Sequence, residues 1–335
     1  MADTLLFGIQ TNGIKHTHDD PLPDIDTRFR MVAEAGVFDY VDKTPAPDEI
    51  DAFARASEKY ALPVRGSGWF YTLGEHEALF EHNLAIAQHL GSAVHNVQIR
   101  TRAADGSLVT DEQVVETYLW AYELGPQSGV LPCFEVHVNM WSEDFRRVEQ
   151  VGRAVESRGL PYCMTLDHSH VIFKIDNPLE QEVQGMRAAV EAGEIVLSPF
   201  EPGNVIDCWI EAGWVRHCHA RAAVPNNPKN LSGRHEDGSI GRGIQYPFKR
   251  PVPGEYHAEW HEHALEPWKE AVRHLLRHHA RDPHARLGQI STEFIPGPDY
   301  GMGCRYSLFE QAIACVEWMR GAWRDALSAR PAAGA

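Results

Sequence analysis

The stretch VRHCHARAA, residues 215–223, places His217, His219 and Arg221 at alternating positions. In a β-strand, alternate residues point to the same side, so these three side chains would share one face. Three other short apolar segments carry an acidic residue near their C-terminal end: Glu135 in CFEVHV, Asp167 in MTLDHSH and Glu293 in STEFIPG. Buried strands rarely hold charged groups without a partner, so these positions require a chemical reason.

A divalent metal ion would provide that reason. Three carboxylates that meet at one place repel one another unless a cation lies among them, and a divalent ion takes carboxylates and imidazole as ligands. The pattern therefore predicts a metal site whose ligands are Glu135, Asp167, His219 and Glu293. Oxygen ligation with one nitrogen favours Mn²⁺, while Mg²⁺, Co²⁺ and Zn²⁺ remain open.

Each of these residues also has a simpler interpretation. A single buried acidic residue can be a salt-bridge partner, and His217 alone is more typical of a packing histidine. His137 could orient Glu135 through a hydrogen bond. The metal interpretation is favoured because four consecutive apolar segments carry a ligand-type residue near the same end.

The chain alternates short apolar runs with longer amphipathic ones, from LLFGIQ at 5–10 to LGQISTEFI at 287–295. Eight strand–helix pairs predict parallel strands joined by helices, and their number fits a closed (β/α)₈ TIM barrel. An open doubly wound sheet is the alternative, but no glycine-rich phosphate motif follows the first strand. We expect one domain over residues 1–335, with a short tail at 330–335.

Two segments interrupt the alternation. Residues 194–212 separate a helix predicted over 177–193 from the seventh strand, and residues 224–256 follow that strand. The second segment is rich in proline, glycine and asparagine, and a loop of this length is uncommon unless it is functional or disordered. Because barrels keep their active sites at the C-terminal ends of the strands, we expect it to cover the site.

Composition limits the partners and the location. The chain has 31 Lys and Arg against 47 Asp and Glu, a formal net charge of −16, which argues against nucleic acid and anionic membranes as partners. No stretch approaches the ~18 apolar residues of a membrane span, and no leader pattern precedes the first strand. Six cysteines without a C-x-x-C pair predict reduced, buried thiols and a cytoplasmic protein.

The four ligand motifs resemble those of the xylose-isomerase-like TIM barrels, which include sugar phosphate isomerases, ketose 3-epimerases and inosose dehydratases. The resemblance covers nearly the whole chain as architecture. It implies the ligand set given above, with His219 chosen over His217 because HCHAR looks like the H-x-H-A-R segment of some members. It also implies that His170, in the D-x-x-H pattern, contacts substrate, and that Arg221 anchors a hydroxyl or anionic group.

One position departs from the ketose 3-epimerases, which carry a second glutamate six residues after the fifth-strand ligand. That position here is Trp141, so a two-glutamate mechanism would need Glu293 as one of its bases. His137, two residues after Glu135 and on the same face, is the obvious replacement base. An E-x-H arrangement of this kind is similar to that expected in the catalytic subunits of C-glycoside deglycosidases. The resemblance therefore implies a homo-oligomer and allows a small accessory subunit.

The sequence thus predicts a metal-dependent isomerase or epimerase of a sugar, keto-sugar or cyclitol that removes a proton through an enediolate. The alternatives are a lyase of the deglycosidase type, an inosose-type dehydratase, a metal-dependent hydrolase with His16 and His18 as extra ligands, and a non-catalytic binding barrel. Trp69, Phe70 and Trp141 could form a sugar-stacking wall or pack in the core. The predicted catalytic residues are His137, Glu135 and Glu293, and the predicted substrate-binding residues are His170, Arg221, His217, Trp69 and Trp141.

Overall fold

Eight parallel strands form the centre of the structure, each paired with the next along the chain. Pairing of the eighth strand with the first, with Leu6 opposite Gln289, closes the sheet into a barrel. The structure is a computed structural model and describes residues 4–282 and 284–330. The strands are β1 Leu6–Gln10, β2 Tyr40–Asp42, β3 Val64–Tyr71, β4 Val94–Ile99, β5 Leu131–Glu135, β6 Met164–Asp167, β7 Val215–Ala220 and β8 Gln289–Thr292. The predicted (β/α)₈ barrel is confirmed.

Helices follow the strands and surround the barrel. They are α1 Ile25–Ala35, α2 Ile50–Tyr60, α3 Glu77–Leu90, α4 Asp111–Ser128, α5 Phe145–Ser157, α6 Ser169–Ile172, α7 Pro178–Glu182, α8 Arg187–Glu191, α9 Val205–Glu211, α10 Glu266–Arg281 and α11 Leu308–Ser328. Local signals determine several of their ends. Thr110 and Gln113 form a capping box at the start of α4, and Gly36 ends α1 in the left-handed region at φ 65°.

The helices between β6 and β7 differ from the single helix that the sequence predicted. The single helix predicted over 177–193 is wrong, because α7 and α8 are separate short helices. Gly185 lies between them with a φ of 61°, a left-handed conformation that interrupts a right-handed helix. The interruption predicted at 194–212 contains α9, whose first turn is capped by the Asn204 side chain accepting from the Asp207 N–H.

Strand register sets the level of the polar residues inside the barrel. Asp167 of β6 lies opposite His219 of β7, and His219 lies opposite Ser291 of β8. Asp167 and Glu135 are the last residues of their strands, and Glu293 follows the last residue of β8. These side chains therefore converge near the C-terminal ends of the strands.

Residues 224–256 contain no helix or strand, and they pack on the loop that follows β8. The Ile244 N–H donates to the Asp299 carbonyl at 2.8 Å, and Gln245 Nε2 donates to the Tyr300 carbonyl at 2.9 Å. On the other side, the Arg242 guanidinium contacts the carboxylates of Glu143 and Glu180. These contacts hold the segment at the C-terminal ends of the later strands, and its role as a cover stays a prediction.

Membrane-spanning helices and the state of the cysteines concern the whole chain. In the described ranges, no helix combines the length and the apolar character that crossing a bilayer requires. All six cysteines are free, and five are buried, but Cys208 on α9 is exposed. The expectation of uniformly buried thiols was therefore wrong at this one position.

Candidate active site

Glu135, His219 and Glu293 form a buried group at the mouth of the barrel. Nδ1 of His219 lies 2.9 Å from Glu135 Oε1 and 3.5 Å from Glu293 Oε2. One ligand atom from each of the three residues lies within 4.8 Å of the other two. Three strands, β5, β7 and β8, thus bring three of the four predicted metal ligands together.

Asp167 lies beside this group and is linked to it by Arg221. Arg221 Nη1 donates to Asp167 Oδ2 at 2.8 Å, and Nη2 donates to Glu293 Oε2. Arg221 Nε also donates to the Glu293 carbonyl at 3.0 Å, and its Cζ lies 4.5 Å from the centre of the Tyr300 ring. The guanidinium is fully buried and neutralises two carboxylates. The role of Asp167 as a fourth ligand stays a prediction.

The pKa values show where the group favours positive charge. Burial raises the pKa of Glu293 to about 7, against the lowering effect of the His219 and Arg221 charges. Burial also acts to raise the pKa of Glu135, but the charge of His219 and its hydrogen bond lower it to about 2. The carboxylates of Glu293 and Glu135 raise the pKa of His219 well above its ordinary value, despite its burial. A cation is therefore favoured at His219 Nδ1, either a proton or a metal ion in its place.

The donor set fits a divalent metal ion. It offers carboxylate oxygens and one imidazole nitrogen, the combination that Mn²⁺, Mg²⁺ and Zn²⁺ accept. Glu135 Oε2 accepts hydrogen bonds from the side-chain amides of Asn96, at 2.5 Å, and Gln98, so its other oxygen faces His219. Such outer hydrogen bonds orient a ligating carboxylate.

Asp42, at the end of β2, supports His219 from the opposite side. Asp42 Oδ2 lies 3.4 Å from His219 Nε2 and 3.2 Å from His217 Nε2, and it accepts from Ser291 Oγ at 2.6 Å. Asp42, His217 and His219 form a second group within ligand distance. Because Asp42 is hydrogen-bonded to His217 and Ser291, we interpret it as a residue that holds the His217 ring in place behind His219.

Sequence reasoning missed Asp42, Asn96 and Gln98, although the signals were present. Asp42 ends the second apolar segment, VFDYVD, at the position that carries the acidic residues on later strands. Asn96 and Gln98 occupy alternate positions of the buried strand AVHNVQIR, so both point to one side. The predicted ligand set came from the last four strands alone.

His137 and His170 lie next to each other beside the carboxylates, with ring centres 4.2 Å apart. His137 Nδ1 lies 2.6 Å from the Val138 carbonyl, which can only accept, so Nδ1 carries the hydrogen and Nε2 keeps a lone pair. Burial and the nearby His170 lower the pKa of His137 to about 4, which leaves it neutral at pH 7. Arg221 Nη1 lies 3.3 Å from His170 Nε2.

A pocket of about 160 Å³ opens beside the carboxylate group on the β1–β4 side. Trp69 and Phe70 form an aromatic pair in its wall, with ring centres 5.1 Å apart and planes 19° apart. Each of the two residues is 36% exposed, so both can contact a ligand. The lining residues are Gln10, Asn12, Asp42, Lys43, Thr44, Ser67, Gly68, Trp69, Phe70, Asn96, Gln98, His219 and Glu293.

Comparison with known proteins identifies the fold. No family model and no curated protein matches the chain. A D-psicose 3-epimerase from Clostridium cellulolyticum H10, solved with D-tagatose, aligns over 95% of this chain and 99% of its own, at 11% identity and a TM-score of 0.53. A probable 3-DHS dehydratase, AsbF, from Bacillus anthracis aligns over 94% and 99%, at 13% identity and a TM-score of 0.53. A xylose isomerase-like TIM barrel protein from Mycobacterium smegmatis, in complex with magnesium, aligns over 97% and 99%, at 14% identity and a TM-score of 0.51.

The chain has the xylose-isomerase-like TIM-barrel fold. This confirms the fold that the resemblance implied. At these identities the likeness establishes the fold alone, so the chemistry of this barrel has to be argued from its own residues.

Two residues predicted to bind substrate lie elsewhere in the barrel. Trp141 is 1% exposed and belongs to the apolar core, with Arg147 5.9 Å from its ring centre, so its prediction as a sugar-stacking residue was wrong. The core-packing alternative is the one that the structure shows. His217 is completely buried behind Asp42 and does not line the pocket, because register places it one strand layer deeper than His219.

The two histidines that follow β1 do not join the carboxylate group. His16 is exposed, and the buried ring of His18 packs against Tyr306 at 4.9 Å between centres. Within residues 4–282 and 284–330, neither belongs to a group of potential ligands. The hydrolase alternative therefore lacks these two extra ligands.

Proposed function

We propose that this chain is a divalent-metal-dependent isomerase or epimerase of a sugar, keto-sugar or cyclitol. The supporting observation is the buried Glu135–His219–Glu293 group, two of whose members line a small polar pocket. The pocket admits a small molecule and has an aromatic wall of the kind that sugars stack on. The fold neighbours include a 3-epimerase solved with D-tagatose and a probable dehydratase, which agrees with this class of chemistry.

Glu135, His219 and Glu293 would hold the metal ion, with Asp167 as the fourth ligand that the resemblance implies. When bound, the ion would polarise a substrate carbonyl and so acidify the neighbouring C–H bond. The donor set is rich in oxygen, so Mn²⁺ is the ion we propose.

The residues of the chain supply the proton transfers. His137 is neutral at pH 7 and keeps a lone pair on Nε2, so it can remove the proton next to the carbonyl and leave an enediolate. The pKa of Glu293 lies at about 7, so this carboxyl group can return a proton. Arg221 holds Asp167 and His170 in place beside them. His170 Nδ1 is buried and has no protein partner among the described residues, so it can bind a substrate hydroxyl.

Elimination is the second candidate, as in a deglycosidase-type lyase or an inosose-type dehydratase. Trp141 is buried where a second glutamate would be needed for a two-glutamate epimerase. With His137 as a single base, the enediolate can equally lose a leaving group, which Glu293 would protonate. The two reactions share their first step.

Isotope exchange tests the shared first step. Metal-free protein and protein reconstituted with Mn²⁺ are incubated in D₂O with ketoses, 3-keto-glucosides and inososes, and deuterium incorporation is followed by NMR. We expect Mn²⁺-dependent exchange at the carbon next to the carbonyl. His137→Gln should slow it by 10²-fold or more while the metal content is unchanged, since general bases contribute ~10²–10⁴-fold.

The matched control is His89→Gln on α3, which is exposed and should keep full exchange. Exchange with retention of all substituents indicates isomerisation, while release of water or of an aglycone indicates elimination. A protein that binds no divalent metal and shows no gain with Mn²⁺ would falsify the proposal.

A further inference from the structure

Lys43 brings an unpaired positive charge to the wall of the pocket. Its Nζ donates to Asn12 Oδ1 at 3.1 Å, and Asn12 is a neutral amide. In the described residues, no carboxylate oxygen lies within 4.0 Å of this nitrogen. Lys43 follows Asp42, the last residue of β2, and its side chain is half-buried.

Two other cations at this end of the barrel are already neutralised. Arg221 contacts Asp167 and Glu293, and Arg242 contacts Glu143 and Glu180. A half-buried ammonium group outside an ion pair loses hydration, and the charges of Glu49 and Asp42 act on Lys43 only from beyond 4.0 Å. Lys43 is the one lysine or arginine among the residues that line the pocket, so its charge is the one that a ligand there would meet.

The pocket connects Lys43 with the proposed reaction centre. Lys43, Asn12 and Trp69 line it together with His219 and Glu293. A ligand in this volume therefore contacts the lysine and the carboxylate group at the same time. Its size, about 160 Å³, suits a single monosaccharide unit.

We propose that the substrate is a sugar acid whose carboxylate binds Lys43 while its reacting end lies at Glu135, His219 and Glu293. The identity of the reacting end rests on the proposed function. Trp69 would cover the apolar C–H face of the ring. The chain carries a formal net charge of −16, so an acidic substrate needs a local cation of this kind to bind.

A carboxylate fits the site better than a phosphate. Phosphate sites commonly use a forked arginine or several backbone N–H groups at a helix N-terminus. The residues lining this pocket offer one ammonium group and side-chain amides, and they include no arginine. One lysine with an adjacent amide is sufficient for a carboxylate.

Binding by isothermal titration calorimetry tests the inference without turnover. The Mn²⁺-loaded protein is titrated with three matched pairs: D-glucuronate and D-glucose, D-galacturonate and D-galactose, and D-gluconate and D-glucitol. We expect the acid of at least one pair to bind about tenfold more tightly than its neutral partner, because a charged hydrogen bond is formed. Lys43→Met should remove this preference, and Lys59→Met, an exposed lysine on α2, should keep it.

The absence of any acid preference across all three pairs in the wild type overturns the inference, whether or not the Lys43 variant folds. A preference that persists in folded Lys43→Met overturns it too. D-Glucose 6-phosphate is a further probe, and tighter Lys43-dependent binding of this compound than of the acids overturns the carboxylate assignment. An acid preference without isotope exchange would remove only the proposed function, whereas exchange in neutral sugars without an acid preference would remove only this inference.

Discussion

Arg221 decides how the acidic residues at the barrel mouth are arranged. Its guanidinium donates to Asp167, to Ser169 and to both the side chain and the carbonyl of Glu293. The resemblance implied that this arginine anchors a hydroxyl or anionic group, but in the structure it donates to protein oxygens. Its direct effect is therefore on the carboxylates. It also contacts His170, whose contact with substrate stays a prediction.

Replacement of Arg221 should destabilise the protein strongly. Arg221→Met leaves two buried carboxylates without their cation, which we expect to lower the free energy of unfolding by about 3–5 kcal/mol. Arg221→Lys should recover little, because an ammonium group cannot reproduce the guanidinium fork. Urea unfolding checks this, with Arg146→Met on α5 as the control, since Arg146 pairs with Asp144 at the surface. A loss below about 1 kcal/mol in Arg221→Met would mean that the carboxylates are neutralised by another group.

At the level of elements, the outer helices differ in how closely they approach the barrel. Gly152 of α5 lies against Trp214, and a Cβ there would come within 2.6 Å of the indole ring. Gly321 of α11 lies in open surroundings, where the nearest atom to a Cβ would be the tip of Arg324 at 3.8 Å. The two glycines have the same helical conformation but different neighbours.

Alanine at these two glycines should therefore have opposite effects. Gly321→Ala should stabilise the protein by up to about 1 kcal/mol, because alanine is the better helix former. Gly152→Ala should destabilise it by about 1–3 kcal/mol, because the methyl group displaces a buried tryptophan. Thermal and urea unfolding of both variants checks the signs. Equal effects would show that α5 can move away from Trp214 without loss.

At the level of the whole molecule, several buried histidines make stability depend on pH. Burial lowers the pKa of His18 and His95 to about 3, and that of His168 to about 4. The unfolded chain, with histidine pKa values near 6.5, binds more protons than the folded one between these values. The contribution of these histidines to the free energy of unfolding is thus complete above pH 6.5, and it is lost as the pH falls towards 3. His219, with its raised pKa, contributes in the opposite direction.

We expect the free energy of unfolding of the metal-free protein to be lower at pH 5.5 than at pH 7.5. Each buried neutral histidine accounts for about 1 kcal/mol of this difference. His95 is hydrogen-bonded to Ser67 and Tyr71, and His95→Gln should reduce the pH dependence by this amount. Urea titrations at the two pH values measure it. A wild type that becomes more stable on acidification would contradict the histidine assignment.

The oligomeric state and the cellular location of the protein stay predictions. The resemblance implies a homo-oligomer and allows a small accessory subunit. The cytoplasmic location expected from composition is likewise a prediction. Light scattering of the purified chain, alone and after co-expression with neighbouring genes, measures the oligomeric state.

The amino-acid sequence by itself determined the eight-fold alternation of strands and helices, the closed barrel and the end of the barrel at which the acidic residues and His219 meet. It also identified Glu135, His219 and Glu293, which the structure brings together. These properties are local, because periodicity shows which face of each segment is buried and strand ends lie at a common edge.

Only the tertiary structure decided which polar groups are paired with one another. It placed Arg221 between Asp167 and Glu293, put Asp42 behind His219, buried Trp141 and left Lys43 without a carboxylate. These outcomes depend on the register between strands that are far apart in the chain and on the reach of each side chain across the barrel. A buried charge is stabilised by whichever partner lies within a few ångströms, and the spacing of residues along one strand carries no information about that distance.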